Sequence, residues 1–294
     1  MTAGMPGVTE QAPLPRRTIR SELAVVFAVA WKEWTIFVRY PSWLMAFVIW
    51  PMLFPLTYIF TGRALSGPGG ASLATFRGLT GTSDYVSFVV LGSTMYMWLN
   101  VTLWDLGLFI RGEQQRGTLE SNWLCPVGRL SLLAGASLSK LGPALLFLGI
   151  TVPEFRLAFG VWLVRGNVPL FFATLALIIP SVYGIGILFA SLVLRFKEAN
   201  ALVQLVRGVF MVFCGITAPI AILPGWMQAV AAWLPLTYAI QDMRAASLAG
   251  ATFASVAPDL TKLAAFAVAL PLLGALTFQF VERRARRTGS LAQY

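Results

Sequence analysis

What most constrains this chain is a series of apolar stretches long enough to cross a bilayer and nearly free of charge. Trp43 to Phe60 carries no charged side chain, and neither does Pro169 to Leu194. Tyr85 to Ile110 holds one acid, Asp105, and Leu260 to Val281 one base, Lys262. A stretch of about 20 apolar residues matches the hydrocarbon thickness of a membrane as a helix. Only 12% of the 294 residues are charged while 57% are apolar. That is too little charge for a soluble enzyme's surface or for a disordered chain. The expected fold class is therefore an all-α membrane protein with six transmembrane helices, at about 43–60, 85–110, 130–164, 169–194, 200–220 and 260–281.

Residues 1–19 read as a disordered tail with Pro6, Pro13 and Pro15, and 288–294 as a C-terminal tail. The N-terminal stretch has no apolar core of a cleaved leader. Between tail and first span, residues 21–39 form an interfacial helix. Projected at 100° per residue, Glu22, Lys32, Glu33 and Arg39 share an arc of about 120° and apolar side chains fill the rest. Pro41 separates it from the first span. Residues 61–83 read as a Gly/Ser-rich loop and 195–198 as a charged turn. The region 221–250 is apolar but broken by Pro224, Gly225 and Pro235, which suggests a re-entrant hairpin on the outer side. Trp226, Trp233 and Tyr238 there suit an interface.

Charge sets the orientation. The net charge is +10. With the N-terminus inside, six spans leave all but six of the 22 basic residues on the inner side; the exceptions are Arg63, Arg77, Arg156, Arg165, Arg244 and Lys262. Both termini are then cytoplasmic.

Composition excludes several chemistries. There is no histidine, so His-ligated metal sites and His general bases are impossible, and no metal site is expected. Cys125 and Cys214 read as two free thiols. No Gly-x-x-x-x-Gly-Lys-Ser/Thr loop is present to cradle a nucleotide, and no Gly-x-Ser-x-Gly elbow.

Two polar regions can carry function. Residues 111–124 form a short polar helix in which Glu113, Arg116 and Glu120 share a face and Arg116 can pair with Glu120. It serves either as a docking element for a cytoplasmic partner or as a solvated loop. Within the spans, Asp105, Glu154 and Arg156 are pathway candidates, because charge in a bilayer costs about 2.5–3.5 kcal/mol at the centre. Glu154 and Arg156, two residues apart, point to different faces and should not pair. Lining a path and anchoring structure are both open for them. Arg207 reads as a snorkelling side chain.

The run Glu113-x-x-Arg116-Gly117-Thr118-Leu119-Glu120, followed by Cys125-Pro126-Val127 and Arg129, resembles the loop of the ABC-2-type permeases, the membrane subunits of one class of ATP-binding cassette exporter. Leu223-Pro224-x-Trp226, Leu234-Pro235-Leu236-Thr237-Tyr238 and Arg244 resemble that family's outer hairpin. Lys32-Glu33-Trp34 with Arg39 resembles its connecting helix. The likeness runs from about Arg20 to Arg287. Asn122-Trp123-Leu124-Cys125 departs from the Leu-rich, Thr-Pro ending more usual there.

The resemblance implies a single transmembrane domain over 20–287. Residues 113–124 would be the coupling helix, with Glu113, Arg116, Gly117, Thr118, Leu119 and Glu120 as the coupling residues. Pro224, Trp226, Pro235, Tyr238 and Arg244 would belong to an outer gate. A second permease subunit, more readily an identical one, would complete the pore in the plasma membrane. A separate nucleotide-binding subunit would supply ATP and Mg, so this chain would be no enzyme and bind no cofactor itself. The cargo would be amphipathic, lipidic, drug-like or a lipid-linked glycan. A secondary transporter or channel with six spans is the alternative.

Overall fold

In a computed structural model, the described residues are 18–40, 42–65, 71–118, 121–122, 125, 127–193 and 199–288. The expected tail over 1–17, the end of the chain from 289, and the turn at 195–198 lie outside them. Every regular element among the described residues is helical.

Helix α1 (Ile19–Arg39) starts at a capping box between Thr18 and Ser21. The two acids of its charged arc are turned inward, while Lys32 and Arg39 are exposed. Glu33 is buried and Glu22 half-buried, while Leu23, Phe27, Trp31 and Val38 are 52%, 64%, 73% and 59% exposed. That inversion suits a helix with lipid on its outer side. Helix α2 (Ser42–Leu65) covers the first expected span and contains Pro51 and Pro55. A third helix, α3 (Ala71–Thr80), occupies part of the expected 61–83 loop.

Helix α4 (Tyr85–Gly107) is the centre of the molecule. Asp84 caps it, accepting from the Ser87 amide at 3.0 Å. It is apolar around its whole circumference, the pattern of an enclosed helix, and 89% of its apolar window is buried. After α5 (Phe109–Gln115), the expected span 130–164 appears as two helices, α6 (Arg129–Ser139) and α7 (Leu141–Phe159). The turn between them falls at Lys140, and left-handed Gly160 ends α7 before Val164 is reached.

Helix α8 (Val168–Val193) packs along α12 (Phe253–Thr288), the longest contact in the fold. A Cβ on Gly184 would sit 2.4 Å from Pro271 N, so the two backbones touch. Lipid tails are as apolar as leucine, so close van der Waals packing, rather than water exclusion, holds such helices together. Helix α12 begins at Phe253, before the expected 260. It is peripheral, with only 11% of its apolar window buried. Helix α9 (Ala199–Phe213) stops short of the expected 220, because the chain turns at Cys214 and Gly215. Next come a 3-10 turn (Ile220–Ile222), α10 (Gly225–Ala231) and α11 (Pro235–Leu248), the two arms of the expected hairpin.

Four described segments are long and apolar enough to cross a membrane: Tyr85–Gly107, Arg129–Phe159, Val168–Leu192 and Phe253–Arg284. Asn200–Phe213 is apolar but shorter.

Candidate functional site

The inner polar region is organised around one carboxylate. Glu113, on α5, is 1% exposed. Its Oε1 accepts from Lys32 Nζ at 2.9 Å and from an Arg116 guanidinium nitrogen at 2.5 Å. Its Oε2 accepts from the Thr118 hydroxyl at 2.7 Å and from the Asn122 amide at 2.6 Å. Burial alone would raise the pKa of this carboxyl. The Thr118 hydroxyl, the Lys32 ammonium and Arg116 outweigh it and hold the group below the usual glutamate range.

Backbone geometry makes the cluster possible. Helix α5 ends at Gln115, and Gly117 takes φ +68°, a conformation that L side chains resist. The chain therefore folds back, so that Thr118 and Asn122 reach Glu113. The expectation of one continuous helical face from Glu113 to Glu120 is corrected by this reversal. Arg116 pairs with Glu113. Leu119, Glu120, Trp123, Leu124 and Pro126 lie outside the described residues.

Two side chains tie α1 to this region. One is Lys32, which donates to Glu113. The other is Glu22, whose carboxylate accepts from the Gly128 amide at 3.1 Å and the Ser131 hydroxyl at 2.5 Å. Glu22 thereby caps the start of α6 from a neighbouring helix, where a negative charge meets the positive end of the helix dipole. Arg129 closes the same loop onto the Cys125 and Val127 carbonyls, at 3.1 and 2.6 Å.

The hairpin holds a second polar knot. Arg244 is 8% exposed, and its guanidinium donates to three backbone carbonyls: Phe88 at 3.0 Å, Gly215 at 2.8 Å and Ile216 at 2.6 Å. It also lies 3.4 Å from the centroid of the Phe88 ring. Three elements meet on this side chain: α11, the first turn of α4 and the turn after α9. Gly92 makes room, since a Cβ there would fall 2.2 Å from Ile216 O and 2.3 Å from the guanidinium.

The other expected hairpin residues divide between its two arms. Pro224 precedes α10, and Trp226 on that arm is 64% exposed and rests against Phe213. Pro235 opens α11 and is buried. Tyr238 is also buried rather than interfacial; its hydroxyl closes the hairpin on the Ala232 carbonyl at 2.8 Å. Asp242, on α11, is 1% exposed and its Oδ2 has no hydrogen-bond partner.

A rim network adds residues that sequence reasoning missed. Asp84 pairs with Arg165 at 2.5 Å, and Arg165 also donates to the Ser247 carbonyl at 3.3 Å. The Asn167 amide side chain reaches the Ala251 carbonyl at 2.9 Å. Burial of Asp84 opposes its ionisation, but Ser87 and Arg165 hold its pKa below the usual aspartate range. Nothing in the local sequence around Arg165 signals this partner 81 residues away.

The pathway candidates do not converge. Asp105 pairs with Lys140 at 3.3 Å, at the α5 end of the bundle. Glu154 stands four turns along α7, about 20 Å away at 1.5 Å per residue. It is half-buried and its Oε2 is unpartnered. Arg156 is exposed, donating to the Gly160 carbonyl at 2.9 Å and lying 4.9 Å from the Trp162 ring centroid. Arg207 bonds Gln204 and lies over the Trp104 ring. Cys125 is exposed and Cys214 buried, both as free thiols. Among the described residues no three His, Cys, Asp or Glu side chains gather as a metal site.

Four apolar helical segments long enough to cross a bilayer, in a chain whose described elements are all helical, define a multi-pass helical membrane protein. Residues 24–248 match the model of the ABC-2 type transporter family. The chain belongs to that family and is the membrane component of an ABC transporter. No curated relative matches it.

Proposed function

We propose that this chain is the six-span permease subunit of an ATP-driven exporter. The crossings are α2, α4, α6 with α7, α8, α9 with the residues that follow it, and α12. Both termini are cytoplasmic and the membrane is the plasma membrane. Two copies form the pore, and a separate nucleotide-binding subunit docks on each, carrying the ATP and Mg. The single domain spans 20–287. The cargo is amphipathic, lipidic or drug-like, or a lipid-linked glycan, moved out of the cytoplasm or inner leaflet.

The observation that carries this reading is the buried Glu113 carboxylate. A solvated loop would leave such a charge in water. Here four donors hold it, and one of them, Lys32, belongs to α1. A push on residues 116–122 is thus delivered both to α1 and, through α5, to α4. Arg116, Gly117 and Thr118, which are exposed, lie where an ATPase would press, Leu119 and Glu120 are assigned to the same coupling role by the family motif, and Glu113 transmits from behind them. At the other end, Pro224, Trp226, Pro235, Tyr238 and Arg244 form the gate. Its exposed arm is α10, and its anchored arm is α11.

The test is purification of the tagged chain from native membranes, with every stoichiometric partner identified by mass. A co-purifying P-loop ATPase, lost when Arg116 and Glu120 are reversed in charge, is the expected result. A chain that purifies alone, with transport indifferent to ATP depletion, overturns the reading in favour of a secondary transporter or channel.

A further inference from the structure

A cleft on the side of the bundle, between α4 and α7, has a charged mouth and an apolar floor. The mouth is the Asp105–Lys140 pair, whose side chains are 32% and 21% exposed. Behind it the cleft runs over Trp98, Pro143 and Phe147, with a volume of about 280 Å³ including space open to the outside. A second cleft of about 350 Å³ adjoins it at Trp98, Ala144 and Phe147, and continues past Leu148 to Leu175 of α8. Leu145, on its lip, is 56% exposed, so the cleft opens on the bundle's outer surface.

We propose that this cleft binds one phospholipid of the phosphoethanolamine class from the inner leaflet, its phosphate on Lys140, its ammonium on Asp105 and one acyl chain along Trp98 and Phe147. Charge complementarity selects the headgroup. Lys140 and Asp105 neutralise each other, so a purely anionic head gains from one and is repelled by the other. A head carrying both signs, with a primary ammonium that can donate to a carboxylate, satisfies both. Depth selects the tail. From Lys140 to Leu148 the cleft runs about 12 Å along α7, most of one leaflet's share of the roughly 30 Å hydrocarbon core. Lys140 and Asp105 also stand at the α5 end of the bundle, which the proposed topology makes cytoplasmic; the inference rests on that topology.

The test uses the full chain in nanodiscs with brominated lipids, whose bromines quench nearby tryptophan. The Trp98 contribution is the difference between wild type and Trp98→Phe. Bromine-labelled phosphatidylethanolamine should half-quench Trp98 at a several-fold lower mole fraction than labelled phosphatidylglycerol or phosphatidylcholine. That preference should disappear in Asp105→Asn and in Lys140→Met. Equal quenching of Trp98 by all three lipids in the wild type overturns the site and leaves the membrane topology standing. So does quenching of the other tryptophans without Trp98, which would mean that a second copy covers the cleft. Absence of quenching at every tryptophan overturns the membrane reading itself.

Discussion

Replacing Arg244 with methionine removes three charge-assisted hydrogen bonds while keeping most of the side chain's apolar length. A hydrogen bond to a charged group contributes about 1.5–3 kcal/mol. The three share one guanidinium and are not additive, so a loss of about 4 kcal/mol is expected, in the range for breaking a buried charged network. Arg244→Lys keeps the charge but has no planar fork. It can satisfy one of the Phe88, Gly215 and Ile216 carbonyls well, so about 2–3 kcal/mol should be lost. Gly92→Ala attacks the same junction from the other side, because its new Cβ would stand 2.2 Å from the Ile216 carbonyl. Overpacking of this kind costs about 1–3 kcal/mol. Since Gly92→Ala already displaces the turn that Arg244 binds, the double variant with Arg244→Lys should cost less than the sum of the two. The assay is reversible unfolding in mixed micelles, read by tryptophan fluorescence, with protease accessibility of the turn after α9 as a local readout. If Arg244→Met stays within about 1 kcal/mol of wild type, or the two substitutions add fully, the clamp does not join these elements and the argument fails.

Three further outcomes follow from the packing and charges. Glu113 is held below its ordinary pKa, so its contribution is complete above the unfolded-state value of about 4.3 and is lost as pH falls through the lower folded value. Amide protection in residues 113–118, corrected for the intrinsic pH dependence of exchange, should be lost only as pH falls below the ordinary glutamate range, and Glu113→Gln should remove that acid-dependent step. Gly184→Leu should separate α8 from α12, where the backbones meet, and lower the thermal midpoint by more than Gly208→Leu, at a position open to space. Asp242→Asn should leave stability unchanged or raise it by about 1–3 kcal/mol, since the carboxylate is buried, its Oδ2 makes no hydrogen bond and Asp259 repels it more than Lys262 attracts it. A clear loss would mean that the carboxylate has a partner after all.

Much of the helical layout was legible in the sequence, because a membrane leaves a chain few choices. Long uncharged runs must be helices when no water is present to satisfy the backbone, and α2, α4, α8 and α12 follow those runs. The boundaries were less legible where local backbone geometry decides them. Gly117 and Gly160 both turn the chain at positive φ, yet a glycine in a membrane sequence can equally be a packing residue, as Gly184 is. Helix α3 was missed because its Gly-flanked, mixed composition gives no periodic signal.

The candidate site was legible as a set of residue types. Its wiring was not. The motif drew attention to Glu113 and Arg116 without showing that they pair with each other. The sequence also pointed to Arg244 without its carbonyl partners, and to Asp105 without Lys140. The sequence by itself determined the class of molecule and the long apolar helical runs. These are consequences of solvent and charge, and composition records them. Only the tertiary structure decided that Lys32 meets Glu113, that Glu22 caps α6 and that Arg244 joins three elements. In a bundle where lipid and side chain are equally apolar, such polar ties fix which helices touch and in what register. Their partners lie 28 to 156 residues apart, a distance at which no local pattern survives.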